Sequence, residues 1–264
     1  MLMRILAAAA TAGALMLAGG CAHAVGGTVD VRVTDRATGE TLPTYWHEGK
    51  WWVPGKPGRR YAVALTNRGG GRVLTVVSVD GVNVISGETA APDQAGYVLS
   101  SGQVAQITGW RKDMSRVAAF EFTALPNSYA ARTGRPDNVG VIGVAVFRER
   151  VRYVPPPALS KEQSSRNEAA SPPAPAASDA MGSAEARRSE RAQESRIGTG
   201  HGRSEHSVTS YTDFERASST PDEIITIHYD SRENLLAMGV IPAPRTVPNP
   251  FPAAAGFVPD PPRR

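Results

Sequence analysis

The chain has 264 residues, of which 41% are hydrophobic and 20% are charged, and its formal net charge is +4. These proportions are close to ordinary globular usage, so they exclude a chain that is disordered throughout. The single cysteine excludes an internal disulfide framework and a zinc site built on cysteines. Basic residues are scattered along the chain and aromatic residues make up only 6%, so we expect no nucleic-acid partner.

The N-terminal residues have the layout of a secretory signal. One arginine precedes an apolar, uncharged run at 5–17, which is too short for a membrane-spanning helix. The run Leu-Ala-Gly-Gly-Cys at 17–21 resembles the lipobox of bacterial envelope lipoproteins. This resemblance implies that residues 1–20 are a signal peptide, that Cys21 is lipidated and that residues 21–27 are the tether to a membrane.

The residue after the cysteine bears on the location of the protein. It is Ala22 rather than an aspartate, and by resemblance to the sorting pattern of these lipoproteins this implies the outer membrane, facing the periplasm. Ala-His-Ala at 22–24 is also an A-x-A cleavage signal. Cleavage after Ala24 would instead release a soluble periplasmic protein that begins at Val25. We favour the lipid anchor because the only cysteine stands where a lipobox needs it.

Residues 28–154 carry the signals of an all-β domain. Apolar and polar residues alternate with a period of two, and Asp80-Gly81 between two apolar runs is a strong hairpin signal. About eight strands without a convincing helix predict an antiparallel sandwich or barrel, and we favour the β-sandwich. The predicted strands lie at 28–33, 60–66, 73–79, 82–85, 97–100, 104–110, 117–123 and 139–147.

Part of this domain, residues 72–149, resembles a module of uncharacterised bacterial envelope proteins. The resemblance rests on Val-Asp-Gly-Val-Asn-Val at 79–84, Gly-Tyr-Val-Leu at 96–99 and Gly-Val-Ile-Gly at 140–143. Because that module carries no known activity, the resemblance implies a fold family and transfers no active-site residue.

The composition changes after the β domain. Residues 155–208 are rich in Pro, Ala, Ser and Arg and have no hydrophobic period, so we expect a disordered linker. Residues 242–264 contain 8 prolines in 23 residues, which predicts an extended tail.

The segment between linker and tail, residues 209–241, has the pattern of a small α-β-α unit. A capping box at 212–215 predicts a first helix, residues 223–229 predict a strand, and a second helix is expected up to Gly239. A unit of about 30 residues is too small to be stable alone. We therefore expect its apolar side chains to dock on the β-sandwich.

Aromatic residues are densest between positions 45 and 52. Trp46, Trp51 and Trp52 are the candidate binding surface, because exposed rings on a β-sandwich can stack on sugar rings or peptides. The alternative is that at least two of these rings cap the core. With the lipid anchor and the lack of a catalytic motif, this surface favours a non-enzymatic binding or structural module that contacts an envelope protein or glycan. We expect no cofactor and no enzymatic activity.

The alternative function is a periplasmic enzyme. His201, Glu205 and His206 could serve a metal-dependent or hydrolytic site if docking of the C-terminal segment brings them to the sandwich. Their spacing matches no zinc motif, and the glycine-rich residues 198–202 are expected to form a flexible hinge. The positions of these side chains in the fold discriminate between the two functions.

Overall fold

A computed structural model of the protein describes residues 25–151 and 196–243. The predicted signal peptide, the predicted lipidation site Cys21, most of the predicted linker and the tail from residue 244 onward lie outside these described residues. Among the helices in the described part of the chain, none is long and apolar enough to cross a membrane.

The described part of the chain is mainly β, as the alternation of apolar residues predicts, and it contains thirteen strands. The strands are β1 (Val29–Asp35), β2 (Tyr45–His47), β3 (Lys50–Gly55), β4 (Tyr61–Asn67), β5 (Val73–Val79), β6 (Val82–Asn83), β7 (Tyr97–Leu99), β8 (Val104–Ile107), β9 (Gly109–Asp113), β10 (Arg116–Ala124), β11 (Val141–Arg148), β12 (Ile197–His206) and β13 (Glu223–Ser231). The helices are α1 (Tyr129–Arg132) and α2 (Arg232–Ala237), with 3-10 turns at Leu125–Asn127 and Pro136–Asn138.

The strands form three sheets. The first sheet has the order β1-β4-β8 and the second has the order β12-β10-β9, and all pairs in both are antiparallel. The third sheet has the order β2-β3-β13-β11-β5-β6, and β7 also pairs with β5. The third sheet is mixed, because β13 runs parallel to β3 and antiparallel to β11. The prediction of a mainly β chain is confirmed, with antiparallel and mixed sheets. The described part of residues 28–154 contains eleven strands, β1 to β11, where eight were expected.

One hydrophobic core joins the three sheets. Its buried side chains come from β1 and β4, from β10, and from β5, β11 and β13. The ring of Tyr61 stacks between Phe122 and Phe120, at centroid distances of 4.2 and 5.3 Å. Burial of rings of this size supplies a large share of the apolar area that stabilises a domain.

The C-terminal segment is inserted into a sheet and does not dock on its surface. On β13, Ile227 lies opposite Trp51 of β3 on one side and Ile142 of β11 on the other. β12 pairs along most of β10. Insertion buries the apolar side chains and also satisfies the backbone hydrogen bonds of the two flanking strands. Docking of an α-β-α unit on the surface would leave those backbone hydrogen bonds unmade.

The hairpin and second-helix predictions are confirmed. Asp80 and Gly81 join β5 to β6 with φ angles of 55° and 71°, as a two-residue hairpin loop requires. Ser231 caps α2, because its hydroxyl accepts the Asn234 N–H at 3.1 Å. Gly239 follows the helix with a φ of 74°.

The predicted linker and hinge are wrong for residues 197–206, which form β12. Glycine here allows β12 to lie close to β10 and does not make the chain flexible. A Cβ at Gly202 would lie 2.7 Å from the Ala119 carbonyl oxygen. A polar, glycine-rich sequence carries little strand propensity of its own. Its conformation is determined by the partner strand β10.

The predicted first helix of the C-terminal segment is also wrong, because residues 212–215 are not helical. The Arg150 N–H donates to the Glu215 carbonyl at 2.7 Å, and the Arg72 guanidinium donates to the Asp213 carbonyl at 2.8 Å. Phe214 packs on an apolar cluster of the third sheet. These tertiary contacts outweigh the capping preference, which is a local effect of about 1 kcal/mol.

The chain passes from the first sheet to the second at Gly109. An ideal Cβ on this residue would lie 2.0 Å from the Ala118 carbonyl oxygen, so only glycine fits. The single strand predicted at 104–110 is therefore divided into β8 and β9, which belong to different sheets.

Candidate functional site

The three tryptophans of the predicted surface lie on β2 and β3, a hairpin at one edge of the third sheet. Trp46 lies directly opposite Trp51 across this hairpin. Because successive side chains of a strand point to opposite faces, Trp51 and Trp52 do not share a face. The structure therefore brings two of the tryptophans together and separates the third.

Trp46 and Trp51 form an aromatic pair, which we call the tryptophan pair. Their ring centroids are 4.8 Å apart and the rings are tilted by 58°. Trp46 is 59% exposed, whereas Trp51 is half-buried and packs against the main core. The inner ring thus supports the outer ring, which presents a large apolar surface to solvent.

The loop beside the tryptophan pair is polar and tightly turned. His47 and Lys50 lie opposite each other, and Glu48 and Gly49 between them have φ angles of 48° and 76°. This is the geometry of a two-residue hairpin loop that matches strand twist. The surface therefore combines apolar rings with charged hydrogen-bonding groups.

Trp52 faces the other side of the sheet. Its ring centroid lies 5.0 Å from that of His228, and it packs against the cluster that contains Leu235 of α2. Burial, together with the charges of Lys50 and Arg196, lowers the pKa of His228 and so favours the neutral imidazole. The alternative that at least two of the rings pack on the core thus fits Trp51, on the main core, and Trp52, on the cluster beside α2.

The histidines of the enzymatic alternative lie on β12. His201 stands beside Tyr129, with ring centroids 5.5 Å apart, and burial lowers the pKa of this imidazole. His206 is exposed at the end of the strand, in register with Arg116. In the ranges 25–151 and 196–243, no three His, Cys, Asp or Glu side chains are grouped closely enough to hold a metal ion.

Glu205, the third residue of that alternative, is held by two arginines. Its carboxylate accepts Arg36 Nη1 at 2.5 Å and Arg60 Nη1 at 2.6 Å. Burial alone would raise the pKa of Glu205, but these two guanidinium groups outweigh it and hold the pKa below its usual value. A carboxylate in this state is ionised at neutral pH and engaged in linking β12 to the first sheet.

A buried polar network around Asp80 escapes prediction from the sequence. Its carboxylate accepts the Tyr229 hydroxyl at 2.5 Å, the Gly140 N–H at 2.9 Å and the Thr199 N–H at 2.8 Å. The Thr199 hydroxyl lies 2.6 Å from the hydroxyl groups of both Tyr61 and Tyr229. A turn motif does not reveal partners that are 60 to 149 residues away in the sequence.

The network contains a carboxyl group with a raised pKa, but it is closed to solvent. Burial raises the pKa of Asp80 to about 6, and burial together with the Asp80 charge raises the pKa values of Tyr61 and Tyr229. Asp80, Tyr61 and Thr199 have no exposed surface, so no substrate reaches the carboxylate. The network therefore joins the β5–β6 hairpin to β4, β12 and β13, and its role is structural.

An open groove of about 1210 Å³ lies between β7, β8, β9 and the stretch 207–216. Arg111 spans it, because its guanidinium donates to the Ser207 carbonyl at 2.5 Å and lies 5.9 Å from the centre of the Tyr97 ring. This cation is thus engaged in holding the stretch in place. The groove depends on the non-helical course of 207–216, so the sequence gives no sign of it.

The tryptophan pair is the part of the predicted site that is both exposed and supported from below. The histidines and Glu205 lie apart from it on β12, and Trp52 lies on the opposite face of the sheet. Comparisons of the chain with protein-family models, curated proteins and solved structures found no match.

Proposed function

We propose that the protein is a non-enzymatic binding module of the cell envelope, tethered to the outer membrane through lipid on Cys21 and facing the periplasm. Its tryptophan pair contacts an envelope protein or glycan. The observation that carries the binding proposal is the 59% exposure of Trp46 on a support made by Trp51. Tryptophan is enriched in contact surfaces because one ring buries a large area and loses little conformational entropy.

The position of the pair in the sheet supports this function. β2 is the outermost strand of the third sheet and pairs only with β3 in the described part of the chain. A partner can therefore approach both the ring face of Trp46 and the free edge of the strand. The turn at 48–49 fixes the hairpin, so that little ordering accompanies binding.

The enzymatic alternative has no comparable support. Glu205 is paired with Arg36 and Arg60, and His201 packs beside an aromatic ring. These contacts give each side chain a structural role that does not require a reaction. Binding is therefore the function that the exposed side chains favour.

Site-specific photo-crosslinking in the bacterium tests the binding surface. We expect a photoreactive phenylalanine derivative at position 46 to form an adduct with an envelope component. The matched control carries the same derivative at Tyr211, which is 91% exposed but lies outside the tryptophan pair. Partner peptides found in the purified adduct by mass spectrometry would identify a protein, and a loss of adduct mass after muramidase treatment would identify a glycan. Equal adducts at both positions, or none at position 46, would contradict the proposed surface.

Detergent-phase partitioning tests the anchor. Acyl chains transfer with about 0.8 kcal/mol per buried methylene, so the wild type is expected in the detergent phase and Cys21→Ser in the aqueous phase. If Cys21→Ser partitions like the wild type and the mature chain begins at Val25, the lipid anchor is wrong.

A further inference from the structure

A second surface, beside the start of β1, carries a concentration of arginines. An open groove of about 740 Å³ is lined by residues 27–28, by residues 68–73 and by residues 148–151. Its lining contains four arginines and one carboxylate: Arg68, Arg72, Arg148, Arg150 and Glu149. We call this surface the arginine groove.

The ion pairs of these arginines leave the cations more exposed than their partners. Arg68 is 56% exposed, whereas Asp30, its partner at 2.8 Å, is 2% exposed. Arg148 is 65% exposed and its partner Asp222 is 28% exposed. Each guanidinium has five N–H donors and these pairs use only part of them. The groove therefore presents guanidinium groups to solvent while the compensating carboxylates lie deeper.

Other carboxylates also face these cations. Glu149 accepts Arg72 Nη1 at 2.6 Å, and Glu215 accepts Arg150 Nη1 at 2.8 Å. Arg32 shares Asp30 with Arg68 at 2.8 Å. Two guanidinium groups share one buried carboxylate there, and the Glu223 carboxylate lies at the same end of the groove, so cations and carboxylates are balanced. An anion would be held by the exposed guanidinium N–H donors that these pairs leave unused.

The lining of the groove includes three consecutive glycines at 69–71, of which Gly70 and Gly71 are exposed. None of them has a left-handed φ, and a Cβ on Gly70 or Gly71 would meet nothing within 4 Å. Neither backbone conformation nor packing within the chain therefore requires glycine at these two positions. A ligand that approaches the backbone closely would benefit from the missing side chains.

The groove lies next to the proposed anchor. Gly27 and Thr28 line it, and their N–H groups donate to the Glu223 carboxylate at 2.6 and 2.9 Å. Val25 is buried in the main core and exchanges two backbone hydrogen bonds with Val31. Cys21 is four residues earlier, and four residues span at most about 14 Å. A lipid on Cys21 would hold this side of the protein close to the membrane surface.

We propose that the arginine groove binds the phosphate of an anionic phospholipid headgroup in the membrane that holds the Cys21 lipid, an inference that rests on the proposed anchor. Guanidinium groups bind phosphate through paired N–H donors, and the glycines of the lining let the headgroup approach the backbone. The contact orients the tethered protein, so that the groove faces the membrane.

Vesicle co-sedimentation tests this proposal with the mature chain carrying Cys21→Ser, which has no lipid of its own. We expect binding to vesicles that contain phosphatidylglycerol and much weaker binding to pure phosphatidylcholine vesicles. A triple variant with Arg68→Gln, Arg148→Gln and Arg150→Gln should bind roughly a hundredfold more weakly, since each arginine near an anionic surface contributes about fivefold.

The matched control removes three exposed arginines that do not line the groove, Arg116→Gln, Arg132→Gln and Arg203→Gln. This control makes the same change in net charge. If it binds vesicles about as well as the wild type does, the result supports binding through the groove. Gly70→Glu is a second variant, because its side chain meets nothing in the fold. It should weaken vesicle binding at least fivefold with an unchanged unfolding transition.

Three results would overturn the proposal. Equal losses of vesicle binding in the groove variant and in the control variant would show that binding depends on net charge and not on the groove. Failure of the wild type to bind the anionic vesicles would show that an anionic phospholipid is not the ligand. Binding of inorganic phosphate without vesicle binding would assign the groove to free phosphate. Because the protein tested carries no lipid, these outcomes are distinct from failure of the anchor, which the partitioning of Cys21→Ser reports.

Discussion

Asp80 sits in a left-handed turn, with a φ of 55°, and its carboxylate points into the core, where Tyr229 and Thr199 donate to it. Aspartate is one of the few residues other than glycine that adopt this conformation at little cost. Burying a carboxylate is unfavourable, and its hydrogen bonds offset only part of that cost. The pKa of Asp80 therefore stays raised, at about 6.

The raised pKa makes stability depend on pH in a defined direction. The pKa of this carboxyl is about 6 in the folded chain against a reference of 3.8, so its contribution to stability is fully present below pH 3.8. That contribution is lost as the pH rises through about 6. Between pH 4 and pH 7, the loss is roughly 2 kcal/mol of unfolding free energy.

Asp80→Asn isolates this effect, because asparagine tolerates the left-handed turn and does not titrate. Denaturant unfolding of both proteins from pH 4 to pH 7 gives the difference in unfolding free energy, wild type minus variant. This difference should fall by about 2 kcal/mol over the range. Titrating histidines contribute equally to the unfolding free energy of both proteins, so their contribution cancels in the difference. A difference that stays constant with pH would show that Asp80 does not titrate as its burial requires.

At the scale of strands and helices, the sequence predicts those elements whose apolar pattern or caps are strong by themselves. β11 and β13 have such patterns, and Ser231 and Gly239 mark the two ends of α2. β12 is different, because its polar and glycine residues become a strand only by pairing with β10. Residues 212–215 have a helix-capping pattern, but contacts with Arg150, just after β11, and with Arg72 determine their conformation.

The candidate site, too, can be predicted from the sequence only where the local signals are strong. Recognising 50–55 as a strand is enough to separate Trp51 from Trp52, because side chains alternate along it. The pairing of Trp46 with Trp51 additionally requires the turn at 48–49, where Glu48 occupies a left-handed conformation that is unusual for glutamate. The arginine groove could not be predicted, since its lining comes from three stretches that are distant in the sequence.

The insertion of β13 can be tested with two adjacent isoleucines. Ile225 is 4% exposed and faces the core, whereas Ile224 is 64% exposed on the other face. Ile225→Asp should lower the unfolding free energy by about 4 kcal/mol, because it removes core packing and buries a carboxylate. Ile224→Asp should change it by about 0.5 kcal/mol or less. Denaturant unfolding at pH 7 measures both, and equal effects would mean that β13 is not held with this face inward.

For the molecule as a whole, the two described segments are complementary in charge as well as in shape. Residues 25–151 contain 15 Lys and Arg against 11 Asp and Glu, whereas residues 196–243 contain 4 against 7. The ion pairs follow this difference, since Glu205 meets Arg36 and Arg60 from the basic segment. Charge attraction favours the encounter of the two segments, and strand pairing fixes their register.

Both proposed surfaces depend on this assembly. Trp51 lies on β3, whose neighbour on one side is β13. Glu223, at the start of β13, holds Gly27 and Thr28 beside the arginine groove. Without residues 196–243 the third sheet would be divided between β3 and β11, and β10 would lose its partner β12. The tryptophan pair and the arginine groove are therefore products of one fold built from both segments.

The most direct measurement is reconstitution of this fold from two separate chains, residues 25–151 and residues 196–243. In an amide NMR spectrum of labelled 25–151, we expect collapsed signals for the chain alone, because the third sheet is incomplete. Adding unlabelled 196–243 should produce dispersed signals, including a shifted indole N–H of Trp51. A dispersed spectrum of 25–151 alone, unchanged by the second chain, would contradict the insertion of β13 and with it the origin of both surfaces.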